Sequence, residues 1–270
     1  MDNIFEGYVI ISDMDGTLLN TEKQISEDNL KAIKYFCRKG GKFTLATGRM
    51  VRATKKYIDF KLSLPVILHS GAKIYDLNNN KDIWELPLDV EIKGVLQRIK
   101  KERRNIGIEI YFNEKVYVYN SCRFTKRFVE NGYEYPEDVP EEVWKEKWTK
   151  VLLLGEKEEL DEIETIYNDE YGFSNYLRSG QNFLDLININ ASKGKALNKI
   201  VELYSLDKSK VIAVGDNMND EELIKEAGFG FCVENADKRL FSIADYIAPN
   251  NDSSPIMYIV KWLEEKIKNK

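Results

Sequence analysis

Little in this chain of 270 residues points to a redox, secreted or membrane-bound protein. Its three cysteines, Cys37, Cys122 and Cys232, are far apart and odd in number, and no C-x-x-C pair occurs. A disulfide framework and a cysteine-built zinc site are therefore not indicated, and buried thiols in a reducing compartment are expected. No apolar run approaches the ~18 residues of a membrane span, and no basic segment precedes a long apolar stretch at the N-terminus. A cytoplasmic protein without a membrane partner is the expectation. A basic excess is missing too: 40 Lys and Arg stand against 45 Asp and Glu, a formal net charge of -5, which argues against nucleic acid. Small anionic substrates remain open, because a local cationic pocket acts against the overall sign. Histidine is nearly absent. His69 is the single one, and without a G-x-S-x-G elbow it points to no Ser-His-Asp hydrolase. The rest, 43% hydrophobic and 31% charged, is a globular profile with length for one large domain or two modest ones.

What is present is organised around Tyr8 to Leu19, Y-V-I-I-S-D-M-D-G-T-L-L. Val9, Ile10 and Ile11 in succession predict a strand buried on both faces, as in a parallel sheet. It delivers Asp13 and Asp15 into a turn with Gly16 and Thr17. Ligand sites of open α/β sheets lie beyond such strand ends. Two acids there are costly unless a cation or phosphate chemistry holds them.

Downstream, Ser26 reads as a helix cap for Leu30, Ile33, Phe36 and Cys37, and Gly40-Gly41 ends that helix. Phe43–Ala46 predicts a strand running into Thr47-Gly48-Arg49, then a helix around Met50–Ile58 and a strand at Pro65–Leu68. This βαβ order implies a parallel, doubly wound, Rossmann-like sheet. The rhythm then breaks. Ala72–Tyr75 and Ile83–Leu86 suggest a hairpin, and paired strands at Ile106–Phe112 and Val116–Tyr119 follow a helix bearing Val95, Leu96 and Ile99. A Pro/Glu-rich stretch at 135–142, a strand at Val151–Leu154, a helix near Glu158–Tyr167 and strands toward Leu177 and Phe183–Ile189 complete an inserted α+β unit. The βα rhythm returns with a helix at Lys195–Tyr204, strands at Val211–Val214, Phe229–Val233 and Tyr246–Ala248, and a last helix at Ile256–Lys268. The expected organisation is a core of 1–83 with 186–270, interrupted by 84–185.

Four turns carry the candidate chemistry: Asp13-Met14-Asp15, Thr47-Gly48, Ser192-Lys193-Gly194 and Gly215 through Asp220. Three of them follow apolar strands directly, so a parallel sheet brings them to one edge. Asp13, Asp15, Asp216 and Asp220 suit a hard, oxygen-ligated cation such as magnesium. Thr47 and the backbone at Gly48 offer donors to phosphoryl oxygens, and Lys193 a point charge. Like charges ~4 Å apart repel by about 4 kcal/mol at an effective dielectric of 20, so such a cluster needs a cation and a lysine to stay ionised.

With these motifs in this order, the chain resembles the haloacid dehalogenase-like phosphohydrolases, in particular Cof-type members with a large α/β cap inserted between the second and third motifs. The resemblance covers nearly the whole chain. It implies that Asp13 is a nucleophile forming an aspartyl-phosphate, and that Asp15 protonates the leaving alcohol and then takes a proton from water. Thr47, Gly48 and Lys193 would hold the transferring phosphoryl group, with Asn219 touching substrate or phosphate. Mg2+ would sit between Asp13, the Asp15 main-chain carbonyl and Asp216, with Asp220 in support. The implied function is magnesium-dependent hydrolysis of a small phosphomonoester, a sugar phosphate foremost. The alternatives are a phosphosugar mutase and a non-catalytic phosphate-responsive module. Ser70-Gly71 stands where similar members often carry Asn-Gly, and Arg123, Arg127, Tyr133 and Arg178 are candidate substrate-facing groups of the cap.

Overall fold

A computed structural model describes residues 3–127, 139–170 and 174–269. Tyr133 and the first half of the Pro/Glu-rich stretch, residues 135–138, lie outside the described residues. The chain divides into two compact units, Met1–Trp84 with Ser192–Lys270, and Glu85–Ala191.

The first unit begins with β1 (Val9–Ser12), α1 (Glu27–Arg38), β2 (Lys42–Leu45), α2 (Val51–Lys55), β3 (Val66–Leu68), β4 (Lys73–Asp76) and β5 (Lys81–Glu85). The second unit holds α3 (Ile92–Glu102), β6 (Gly107–Phe112), β7 (Lys115–Asn120), α4 (Glu141–Lys145), β8 (Lys150–Leu154), α5 (Lys157–Glu170), β9 (Ser174–Gly180) and β10 (Phe183–Asn188). The chain returns with α6 (Lys193–Leu203), β11 (Val211–Gly215), α7 (Glu221–Glu226), β12 (Phe229–Val233), β13 (Tyr246–Ala248) and α8 (Pro255–Lys268).

In the first unit, a parallel five-stranded sheet runs in the order β13-β12-β11-β1-β2. β1 lies inside it and is buried at all four positions, as its unbroken apolar run requires. Ile10, Ile212 and Val214 face one layer with Phe36 of α1 and Ile259 and Leu263 of α8. Val9, Ile11, Val211 and Ala213 face the other, against Ala196, Leu197 and Ile200 of α6. Helices thus cover both faces, the doubly wound arrangement. Ser26 caps α1 by accepting a hydrogen bond from the Asn29 N–H at 3.2 Å.

Ser12 aligns with Leu45 on one side and Val214 on the other. Asp13, the Ala46-Thr47 step and Asp216 therefore leave the sheet at one level, which is what brings the motif turns together. Two local expectations change. β3 meets β2 at a single parallel bridge, Ala46–Ile67, and forms its ladder antiparallel with β4, which follows it immediately across the His69–Gly71 turn. The helix expected to Ile58 ends at Lys55.

The second unit is an antiparallel sheet in the order β7-β6-β8-β10-β9. Its core joins Leu96 and Ile99 of α3 and Leu160 and Ile163 of α5 to Ile108, Ile110, Val151, Leu153, Leu184 and Leu186. The return to the core expected at residue 186 falls inside β10. Because β10 pairs with both β8 and β9, the crossover comes after Ala191 instead.

Candidate active site

The site is built on the first unit alone. Asp13 follows β1 directly, and its N–H donates to the Val214 carbonyl at 2.9 Å, which ties it to β11. Met14 is fully buried in the core. It lies in the turn that follows β1, where its carbonyl accepts from the Leu19 N–H at 2.8 Å. Gly16 then turns the chain with φ +77°, and a Cβ there would stand 2.4 Å from Asp216 Oδ2. Only glycine combines that backbone with so close a carboxylate. Thr17 Oγ1 donates to Asp216 Oδ1 at 3.1 Å.

Lys193 opens α6, two residues before the expected start at Lys195, because Ser192 serves as the cap. Its side chain is 1% exposed, and Nζ donates to Asp13 Oδ1 and to Asp220 Oδ1, both at 2.6 Å. The other Asp220 oxygen accepts from the N–H groups of Asp216 and Asn217 at 3.1 and 3.2 Å. Asp220 is thereby both a structural brace for the turn and a partner of the lysine. Asp13, Asp216 and Asp220 each offer an oxygen within 4.8 Å of the other two.

Burial pushes the Asp13 carboxyl well above its ordinary range; Lys193 opposes this, and Asp220 and Asp216 add to it. Burial likewise raises Asp216, to about 6, reinforced by Asp220 and opposed by Lys193 and Thr17. Burial by itself would lower Lys193, but Asp13 and Asp220 more than reverse that, so it stays an ammonium. With all three acids ionised, the one ammonium leaves two negative charges uncompensated. Such charges are expensive away from water, and an oxygen-ligated divalent cation is the compensation that fits. The residues present could hold one.

Asp15 lies apart from this group. Its carboxylate receives a two-pronged contact from Arg49, Nε to Oδ2 at 2.6 Å and Nη2 to Oδ1 at 2.7 Å, with Lys23 Nζ 3.3 Å from Oδ1. Burial would raise its pKa, but Arg49 and then Lys23 bring the net shift below the ordinary value. The acid cluster that could hold a metal therefore contains Asp13, Asp216 and Asp220, and the Asp15 side chain is not in it. Thr47 is 1% exposed, and its Oγ1 accepts from the Arg49 N–H at 3.2 Å. Gly48 adjoins the buried Ser70, whose N–H donates to the Thr47 carbonyl at 3.0 Å. Asn219 is half-buried on the Met218–Asp220 turn.

Over this architecture, the sequence pattern of the haloacid dehalogenase-like hydrolases matches residues 10–260. The chain belongs to that family. This hydrolase is 30% identical over 247 residues to the 5-amino-6-(5-phospho-D-ribitylamino)uracil phosphatase of Bacillus subtilis, covering 90% of each chain. It superposes on a solved Thermotoga maritima protein at 28% identity with a TM-score of 0.79, covering 94% of this chain and 97% of that one. A solved subclass IIB sugar phosphatase shares the fold at 19% identity, TM-score 0.80, with 95% and 99% covered. The hydrolase is thus an enzyme of a family that contains phosphatases. Among its described residues, no helix is long and apolar enough to cross a membrane.

Sequence reasoning left three neighbours of the site unassigned: Arg49, Lys23 and Thr17. Arg49 and Thr17 each stand inside a motif string, Arg49 directly after Gly48 and Thr17 two residues after Asp15. Lys23 carried no such signal, because its approach depends on the turn that gives it φ 60°.

Proposed function

We propose that this hydrolase is a magnesium-dependent phosphatase that cleaves a small cytoplasmic phosphomonoester, a sugar phosphate foremost, through an aspartyl-phosphate on Asp13. The observation that carries the reading is the shared Lys193 ammonium, which binds the Asp13 carboxylate beside two further acids while Asp15, two residues away, is free of that cluster. The arrangement separates the two roles that such a reaction needs. The Asp13 carboxylate attacks phosphorus, and the bond to the leaving oxygen breaks as Asp15 gives that oxygen a proton. Water then attacks the phosphorus of the acyl phosphate, Asp15 takes its proton, and phosphate leaves with the Asp13 carboxylate restored. Splitting one displacement into two lowers each barrier.

Thr47, the Gly48 backbone, Lys193 and Asn219 hold the phosphoryl oxygens in this reading. Asp13, the Asp15 carbonyl and Asp216 hold the magnesium ion, with Asp220 supporting them. When bound, the ion supplies charge stabilisation to the phosphoryl group. We place substrate choice in the inserted unit. One face of its sheet carries buried charge, with Arg127 forked on Glu109 and Lys150 paired to Asp185 at 2.7 Å. Arg123 and Arg178 are instead engaged with Glu156 and with Asp161 and Glu164.

The test is a panel of phosphomonoesters with magnesium, scored for free phosphate and for isomerised product. Asp13→Asn is expected to lower turnover by at least about a thousandfold, as loss of a covalent nucleophile does. A wild-type protein that releases no phosphate, or a variant that matches it, removes the proposal. Isomerised product without free phosphate would replace hydrolysis by a mutase reaction.

A further inference from the structure

The geometry points to Arg49 as the residue that positions Asp15 for proton transfer; this rests on the reading of Asp15 as acid and base. Asp15 is a short side chain on a turn, and its carboxylate is 40% exposed. In water such a group samples several rotamers, and a general acid must sit within hydrogen-bond reach of the leaving oxygen. The Arg49 fork removes that freedom, because two parallel contacts fix both the position and the plane of the carboxylate.

Arg49 is itself held from several sides. Its Nη1 donates to the Ala53 carbonyl at 3.3 Å, and its guanidinium lies over the Tyr57 ring at 4.6 Å. Its N–H donates to Thr47 Oγ1, and its carbonyl accepts from the His69 N–H at 3.1 Å. The same residue therefore touches the turn assigned to the phosphoryl group and the carboxylate assigned to the proton. It fixes the distance between them. A carboxyl group has about four lone-pair positions, so a fork that uses one on each oxygen leaves a position for the proton that goes to the leaving oxygen and, once that proton is gone, for the attacking water. Lys23, more exposed and 3.3 Å away, adds charge but no orientation.

Proton delivery matters in proportion to the basicity of the leaving group, which separates a positioning role from a general structural one. An alkoxide needs the proton as the ester bond breaks, whereas p-nitrophenolate leaves without it. The quantity to measure is kcat/KM for β-glycerophosphate and for p-nitrophenyl phosphate, because it reports the steps up to leaving-group departure. Misplacement of a catalytic group loses on the order of 100-fold, so Arg49→Met should lose about that on the alkyl ester and less than about threefold on the aryl ester. Arg49→Lys, which restores charge without the fork, should recover only part of the loss.

In an Asp15→Asn background, Arg49→Met should add nothing further on the alkyl ester. Equal losses on both esters, no loss on either, or full additivity with Asp15→Asn overturn the inference. The failures are separable. If Asp15→Asn leaves the alkyl-to-aryl ratio at its wild-type value, the acid–base reading falls and the inference with it. If Asp15→Asn shifts the ratio and Arg49→Met does not, only the positioning of Asp15 by Arg49 is overturned.

Discussion

At the scale of single residues, Lys193 is the group on which the acid cluster depends. It is buried between Asp13 and Asp220, so Lys193→Met leaves two carboxylates in a dry site without their cation. Removing one member of a buried ion pair is destabilising by about 3–5 kcal/mol. Urea unfolding at neutral pH should show a loss of that order, shrinking in acid as protons replace the ammonium. Asp216 gives a second test. Its carboxyl titrates near 6 in the folded protein against an ordinary 3.8, so the folded state holds the proton more tightly than the unfolded one. Stability therefore falls as pH rises between those values, and the ionised group above 6 is a liability until a cation meets it. The rise in melting temperature on adding Mg2+ should be small at pH 5 and larger at pH 7.5. An equal rise at both, or none, would contradict the metal assignment. Asp13, Asp216 and Lys193 were legible as candidates because each stands in a turn beside an apolar element. The pairing of Arg49 with Asp15 was not, because two side chains 34 residues apart meet only once β1 and β2 are in register.

At the scale of elements, the site is a consequence of strand ends meeting at one level. Gly16 is where that design is most sensitive. Gly16→Ala puts a Cβ at φ +77° and 2.4 Å from Asp216 Oδ2, so either the turn or the carboxylate must shift. The backbone strain alone amounts to about 1–3 kcal/mol. Chemical unfolding should register at least that, and calorimetric titration should show weakened Mg2+ binding. A variant with wild-type stability and metal affinity would show that the turn relaxes freely. The element types were largely readable, since buried parallel strands declare themselves as continuous runs such as Val9-Ile10-Ile11 and Val211–Val214. The pairing of β3 was less so. Its three apolar residues suit either sheet, and the short His69–Gly71 turn into β4 decides it. Gly71 in that turn, with φ +103°, also lets the chain pass close to α6, where a Cβ would meet the Ser192 carbonyl.

At the scale of the whole molecule, two separate cores imply two cooperative units. Leu153 is fully buried in the second unit and Leu263 in the first, and replacing either by Ala is destabilising by about 2–5 kcal/mol. Scanning calorimetry should show each variant moving a different transition. One endotherm displaced equally by both would mean that the units melt together. By itself the sequence determined the fold class, the presence of an inserted α+β unit and the turns that carry the acids, because these follow from local runs and their order. Tertiary structure decided which groups touch. It put Lys193 on Asp13 across 180 residues, withdrew the Asp15 carboxylate from the acid cluster into the Arg49 fork, and kept β10 within the inserted unit. Those outcomes depend on strand register and on where a handful of side chains end, which no run of neighbouring residues encodes.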